Sequence, residues 1–174
     1  DRFQIQFTME FYEPSDLSKI VIKSAERLDI TLTEDAANEL SHRSRGTPRV
    51  ANRLLRRARD FAQVEGDGII DLDIVRFALL RLGIDEVGLD GMDRRILDTI
   101  ANKFDGGPVG IDNLATAIGE EANTIEDVYE PYLIMRGFVQ RTRTGRILTR
   151  RGKEHLGIST SPGPLFEVGT DKST

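Results

Sequence analysis

The chain has 174 residues, with 24 Lys and Arg against 29 Asp and Glu, and a net charge of -5. It contains no cysteine, which excludes disulfides, thiolate catalysis and cysteine-bound zinc, and its two histidines are too few for a multi-histidine metal site. No apolar stretch approaches the roughly 18 residues of a membrane span, and no signal peptide is visible.

Residues 1–82 predict a short strand followed by four helices. The chain begins at Asp1 rather than Met, which suggests a fragment of a longer protein, and Phe3, Ile5 and Phe7 then alternate with glutamine as in a strand. Helix starts are expected at Pro14, Thr33, Thr47–Pro48 and Asp71. A proline in the first turn, or a hydroxyl or carboxylate cap, favours a helix N-terminus at each of these places.

The second half of the chain predicts a different domain. Residues 83–90 contain two glycines and three acids without helical periodicity, and are interpreted as a linker. In residues 91–157, three short helical patterns precede two apolar pairs that flank the basic segment 141–146, which is typical of a β-hairpin. Three helices before a hairpin is the order of a winged helix-turn-helix, so the predicted fold class is mainly α. Residues 158–174, rich in Ser, Thr, Pro and Gly, are expected to form a flexible tail.

The hairpin segment is strongly basic within an acidic chain. No acid lies between Glu130 and Glu154, whereas this window holds Arg136, Arg141, Arg143, Arg146, Arg150, Arg151 and Lys153. Because three arginines at a hairpin tip are not expected to be satisfied by local ion pairs, and because guanidinium matches phosphate, a nucleic-acid backbone is the favoured partner. A solvated basic hairpin that only keeps the protein soluble, or a docking site for an acidic protein, remains an alternative.

A second arginine cluster begins just before the third predicted helix and continues along it, and it consists of Arg43, Arg45, Arg49, Arg53, Arg56, Arg57 and Arg59. Arg49, Arg53 and Arg56 share one helical face, where like charges destabilise the helix unless something outside it offsets them. Arg49, one residue after the proline of the first turn, is best placed to meet an anion at the helix N-terminus. The alternative pairs these arginines with acids of neighbouring helices, among them Glu34, Asp35 and Glu39.

The usual catalytic motifs are absent from the sequence. It has no GxxxxGK[ST] segment, and Gly106–Gly110 contains a proline and no following lysine, which is typical of a loop between helices rather than of a P-loop. No Ser/His/Asp set has a recognisable spacing. Catalysis by this chain unaided is therefore not expected.

Several segments together resemble one known family. They are residues 45–57 (RGTPRVANRLLRR), 106–115 (GGPVGIDNLA), 118–121 (IGEE), 126–134 (EDVYEPYLI) and 137–142 (GFVQRT). These motifs resemble the RuvB family of bacterial Holliday-junction branch-migration motors, and the likeness extends over residues 1–158. The resemblance implies the helical lid of an AAA+ module followed by a DNA-binding winged helix, without the large ATPase subdomain.

The resemblance implies roles for particular residues. Arg49 is similar to the sensor-2 arginine that contacts ATP phosphates, Tyr12 to the tyrosine beside the adenine, and Arg2 to an arginine near the nucleotide. On the hairpin, Arg141 and Arg146 are similar to wing residues that touch the DNA backbone, and Arg143 lies between them. No residue is assigned a catalytic or metal-binding role, because the magnesium that accompanies ATP or ADP would be bound by the large subdomain.

The resemblance also implies partners and a setting. It implies a homo-hexameric ring in the bacterial cytoplasm that acts on Holliday junction DNA in recombination, DNA repair and the SOS response. Its partners would be a RuvA-type junction-binding protein and a RuvC-type resolvase. Since Glu126, Asp127 and Glu130 would repel DNA from the third helix, the hairpin is expected to lead the contact, through phosphates rather than bases.

Two other functional classes remain open on the sequence. One is a winged-helix transcription regulator without ATPase activity that reads a specific operator. The other is a protein-docking adaptor whose arginines meet acidic partners.

Overall fold

The computed structural model describes residues 11–158. The strand predicted at Phe3–Phe7, the site residue Arg2 and nearly all of the predicted tail lie outside these residues. The described part is mainly α, as predicted, and its contacts divide it into two compact units with the break between Met92 and Asp93.

The first unit contains the four predicted helices. They are α1 (Pro14–Arg27), α2 (Glu34–His42), α3 (Pro48–Glu65) and α4 (Leu72–Arg81). The caps explain their starts, because the Thr33 hydroxyl accepts the N–H of Ala36 at 3.4 Å and the Asp71 carboxylate accepts that of Ile74 at 2.9 Å. Both α1 and α3 begin with a proline, which suits a first-turn position whose N–H has no helical partner.

The core of the first unit forms along the buried stripe of α3. Ala51, Ala58 and Ala62 are fully buried there beside Leu54 and Leu55. These small side chains let α1 and α4 pack closely against α3. The opposite, exposed face of α3 carries arginines.

Residues 83–90, interpreted from the sequence as a linker, form a hydrogen-bonded loop that belongs to the first unit. The Asp85 carboxylate accepts the N–H groups of Val87 and Leu89, at 3.0 and 2.8 Å, and Leu89 is fully buried. The Arg43 guanidinium also donates to the Asp85 carbonyl. The segment is therefore held by its own turn and by the end of α2.

The second unit has the helix–hairpin order expected from the sequence. It contains most of α5 (Gly91–Lys103) and all of α6 (Ile111–Ile118), followed by a third helix, α7. The two strands are β1 (Val139–Thr142) and β2 (Gly145–Leu148), and a short final helix, α8 (Arg150–His155), follows them. Helix α8 was not predicted from the sequence, because its polar residues show no apolar periodicity.

Helix α7 changes its hydrogen bonding in the middle. It consists of Ala122–Thr124, a π turn at Ile125–Tyr129, and Glu130–Met135. The Glu130 N–H donates to the carbonyl of Ile125, five residues back. The next residue, Pro131, has no N–H and its ring would clash with the carbonyl four residues before it, so the wider turn lets the helix continue through the proline.

The hairpin is antiparallel, with Arg141 opposite Arg146 and Thr142 opposite Gly145. Its turn therefore consists of Arg143 and Thr144 only. A third segment pairs with β2, because Val109 and Arg146 exchange N–H···O hydrogen bonds of 2.8 and 2.9 Å. We call β1, its turn and β2 the wing.

Candidate functional site

Arg49 is the second residue of α3, and its side chain is exposed. The preceding Thr47 makes no side-chain cap, because its hydroxyl donates to the Ser44 carbonyl at 3.3 Å instead. Within residues 11–158, Arg49 has no ion-pair partner. An exposed guanidinium therefore stands beside first-turn N–H groups that Thr47 leaves uncapped, an arrangement suited to an anion.

Pairing with neighbouring acids, the alternative considered for this cluster, holds for some of its arginines only. Arg43 pairs with Glu39 at 2.5 Å, and Asp60 lies 3.8 and 3.3 Å from Arg57 and Arg59. The face that carries Arg49 differs, since Arg53 and Arg56 are also exposed and form no ion pair with any described residue. The predicted helix face of arginines without paired acids is thus present among the described residues, and it consists of Arg49, Arg53 and Arg56.

Tyr12 lies next to the loop that leads into α3. Its backbone N–H donates to the carbonyl of Gly46 at 2.8 Å, while its side chain is half-exposed. Phe11 covers Gly46 so closely that a Cβ there would come within 2.6 Å of the Phe11 Cβ. Tyr12 is therefore held at Gly46, which lies three residues before Arg49 in the sequence, and Arg2 lies outside the described residues.

The two matched arginines of the wing do not stand free at its tip. Arg146 is buried, with its Nε donating to Glu130 Oε2 at 2.9 Å and its Nη2 to Glu126 Oε1 at 3.3 Å. Arg141, directly opposite, pairs with Glu126 at 2.5 Å and lies 3.7 Å from Glu130. The expectation that local ion pairs could not satisfy the hairpin arginines is wrong for both residues.

The reason for this error is that the partners come from α7, many residues earlier in the chain. Glu126 and Glu130 lie four positions apart and face the same two guanidinium groups. Both acids were expected to repel DNA, whereas in the structure they form ion pairs with Arg141 and Arg146 of the wing. The four-residue spacing of these acids could have predicted that they face the same partners, because residues four apart on a helix share a face.

Arg143 is the wing arginine that lies in the turn itself. Its side chain is exposed, and it forms no ion pair with residues 11–158. Of the basic residues that follow the wing, Arg150 pairs with Glu154 at 2.7 Å, and the Arg151 guanidinium lies 5.3 Å from the centroid of the Phe138 ring. The arginine with the weakest sequence assignment is therefore the wing arginine that is exposed without an ion pair to residues 11–158.

The four helices of the first unit and the helices and wing of the second both match known protein families. The family model of the RuvB AAA lid domain matches residues 12–85, and that of the RuvB C-terminal winged helix domain matches residues 86–157. The chain belongs to the RuvB family. The two matches follow one another without a gap, in the order that the sequence motifs predict.

Solved RuvB structures from Thermotoga maritima show the same fold. The RuvB Holliday junction branch migration motor matches with a TM-score of 0.83 and 43% identity, over 88% of this chain and 51% of that one. Two mutants of that RuvB match with TM-scores of 0.87 and 0.86 and identities of 42% and 43%, each over 92% of this chain and 53% of theirs. The chain thus spans about half the length of the RuvB structures that it matches.

The described residues also bear on metals and membranes. Residues 11–158 hold no group of three or more His, Cys, Asp or Glu side chains that could bind a metal ion. In the same part of the chain, no helix is long and apolar enough to cross a membrane.

Proposed function

We propose that this chain is the lid and DNA-binding part of an ATP-dependent motor that drives Holliday junction branch migration in recombination and DNA repair. The observation that carries the proposal is the succession of RuvB lid and RuvB winged-helix domains along residues 12–157. The proposed division is a lid at 1–82, a linker at 83–90, a winged helix at 91–157 and a tail at 158–174. A preceding large ATPase subdomain would supply ATP hydrolysis, so the chain alone is expected to be inactive.

On the nucleotide side, Arg49, Tyr12 and Arg2 are the proposed contacts for ATP or ADP. The uncompensated guanidinium of Arg49 at the start of α3 fits a phosphate, and Tyr12, held against the Gly46 loop, offers a half-exposed ring to a base. When bound, a nucleotide with its magnesium would supply a phosphoryl group whose charge changes on hydrolysis. Arg49, fixed to the lid by α3, would make the position of the lid depend on that charge.

On the DNA side, we propose that the accessible wing arginines, Arg143 and Arg141, contact backbone phosphates. Arg146, matched by the resemblance to a DNA-contacting residue, is proposed to act chiefly by holding the wing against α7, because its side chain is only 7% exposed. Phosphate contacts without base contacts suit a motor that must pass through any sequence.

The wider assembly is part of the same proposal. A homo-hexameric ring in the bacterial cytoplasm, a RuvA-type junction-binding protein, a RuvC-type resolvase and induction in the SOS response are the setting that RuvB membership favours. The other functional classes, a transcription regulator or a protein-docking adaptor, have no structural observation of their own in their favour.

The test is DNA binding by the 174-residue chain over a salt series, with a four-way junction and duplexes of unrelated sequence as probes. We expect weak binding that is equal across sequences and falls steeply with salt, because phosphate contacts release counterions. Arg143→Ala should reduce the slope of log K against log salt by about 0.9, the value of one duplex phosphate contact. Arg150→Ala, which removes an exposed arginine already paired with Glu154, is the matched control and should change the slope less.

Two results would contradict the proposal. A large preference for one duplex sequence over the others would favour the transcription regulator. An absence of salt-dependent binding to any of these DNAs would exclude the wing as a DNA contact.

A further inference from the structure

Two acids of α7 and two arginines of the wing form a cluster of four charges with no net charge. We call Glu126, Glu130, Arg141 and Arg146 the wing cluster. Its members differ in exposure, since the side chains of Glu130 and Arg146 are 5% and 7% exposed, whereas those of Glu126 and Arg141 are 33% and 55% exposed. The cluster therefore has an inner pair and an outer pair.

The inner pair, Arg146 with Glu130, is not available for exchange. The 2.9 Å bond between Arg146 Nε and Glu130 Oε2 is buried, and separating the two charges would leave Glu130 with only Arg141 Nη1 at 3.7 Å and Arg146 with only Glu126 Oε1 at 3.3 Å. The backbone of Arg146 is also fixed, because it pairs on one side with Arg141 and on the other with Val109. This pair holds the wing on α7 whether or not a ligand is present.

The outer pair, Arg141 with Glu126, is more exposed than the inner pair, although Glu126 also accepts from Arg146 Nη2 at 3.3 Å and Arg141 Nη1 lies 3.7 Å from Glu130. It is open to water, and an exposed ion pair contributes little net free energy because solvent screens both charges. A DNA phosphate offers the Arg141 guanidinium the same planar pairing geometry as the carboxylate. Glu126 and a phosphate are therefore alternative partners for one arginine.

We propose that Glu126 competes with a DNA backbone phosphate for Arg141 and thereby lowers the affinity of the wing for DNA. The proposal rests on the proposed function, namely that the wing contacts DNA. It follows from the charge balance of the cluster, because loss of the Glu126 charge leaves one positive charge in excess, and that charge lies on the solvent-accessible member, Arg141. Because its affinity is limited in this way, the wing can bind a phosphate and then release it readily.

The test is a double-mutant cycle in the 174-residue chain, with affinity for a fixed duplex as the readout. Glu126→Gln removes the charge and keeps the shape and a hydrogen-bond acceptor, and it should tighten binding about threefold to tenfold at low salt. Asp127→Asn is the matched control, since it removes the same charge from the adjacent, exposed position, which forms no ion pair with residues 11–158. It should tighten binding by less than twofold, through the general field alone.

Arg141→Gln completes the cycle. In this background Glu126→Gln should give no greater gain than Asp127→Asn, because the released arginine is gone. Hydrogen-exchange protection of the β1 and β2 amides, which the inner pair should preserve in every variant, reports that the wing is still folded.

The outcomes separate this inference from the function on which it rests. A gain for Glu126→Gln that equals the gain for Asp127→Asn, or that persists without Arg141, overturns the competition while leaving DNA binding intact. A starting chain that fails to bind DNA in a salt-dependent way overturns the proposed function itself.

Discussion

Arg146 is a charged side chain held in the interior, and its energetic role follows from what surrounds it. It bridges Glu130 and Glu126, and its backbone pairs with Val109. A buried ion pair adds little to stability over an apolar pair of the same shape, yet removal of one partner is costly because the other charge is left unpaired. Arg146 should therefore affect folding of the wing more than any other arginine of the hairpin.

The substitution Arg146→Met tests this role. It leaves Glu130 buried, with only the Arg141 Nη1 nearby at 3.7 Å, and should lower the free energy of opening of the wing by about 3 kcal/mol. Native-state hydrogen exchange of the β1 and β2 amides measures that free energy. Arg143→Ala, in the exposed turn, is the control and should change it by less than about 0.5 kcal/mol. Equal effects of the two substitutions would contradict an interior role for Arg146.

The basic character of the wing could be read from its sequence, but the pairing of each arginine could not. A window without acids predicts a positive surface only if no acid approaches from elsewhere in the chain. Here Glu126 and Glu130 approach from α7, and they neutralise the two arginines that face them. Only Arg143 is both exposed and without an ion pair to residues 11–158, as the sequence predicts for all three.

At the scale of elements, the wing depends on a close approach between the 106–110 loop and β2. Gly107 has a φ of +94°, and a Cβ at this position would lie 2.4 Å from the Arg146 carbonyl oxygen and 3.0 Å from the Ile147 Cα. Both neighbouring atoms belong to the backbone, so neither can move aside without shifting β2. The third segment of the small sheet therefore requires glycine here.

The pair Gly107→Ala and Gly110→Ala tests this close approach. Alanine at 107 combines an unfavourable φ with a backbone clash, and should destabilise the second unit by about 2 kcal/mol or more. Alanine at 110 meets no atom within 4 Å and should be nearly neutral. Urea unfolding of the two variants compares them directly. A neutral Gly107→Ala would show that β2 can shift without cost.

The helices illustrate which elements the sequence predicts and which it does not. Caps and apolar periodicity mark α1 to α4 because both signals are local, and the hairpin follows from two apolar pairs around a basic turn. The π turn in α7 depends on how a helix accommodates Pro131, and α8 depends on Gly152, where a Cβ would lie 2.4 Å from the Phe138 carbonyl oxygen. Such tertiary requirements leave no periodic pattern in the sequence.

At the scale of the whole molecule, the two proposed phosphate contacts lie in different units, with Arg49 in the first and Arg143 in the second. The net charge of -5 does not reveal either contact. The chain has more acidic than basic residues in total, and this total conceals where the arginines are clustered. Recognition of the family required motifs that continue through both units. The test of the nucleotide contact uses a protein that contains the proposed ATPase segment, since the chain spans about half of the RuvB structures that it matches.

In the full-length protein, Arg49→Ala should lower the rate of ATP hydrolysis at least about 100-fold, the scale of losing one preorganised group that stabilises developing charge. The physical reason is that Arg49 is exposed, forms no ion pair within residues 11–158 and stands at the uncapped start of α3, so a phosphate would be its principal partner. Arg57→Ala removes an equal charge from the same helix at a position already paired with Asp60, and should leave hydrolysis nearly unchanged. Steady-state hydrolysis at saturating ATP measures the effect. If the two variants hydrolyse ATP equally fast, the charge of α3 matters only as a surface property, and the lid senses the nucleotide through other residues.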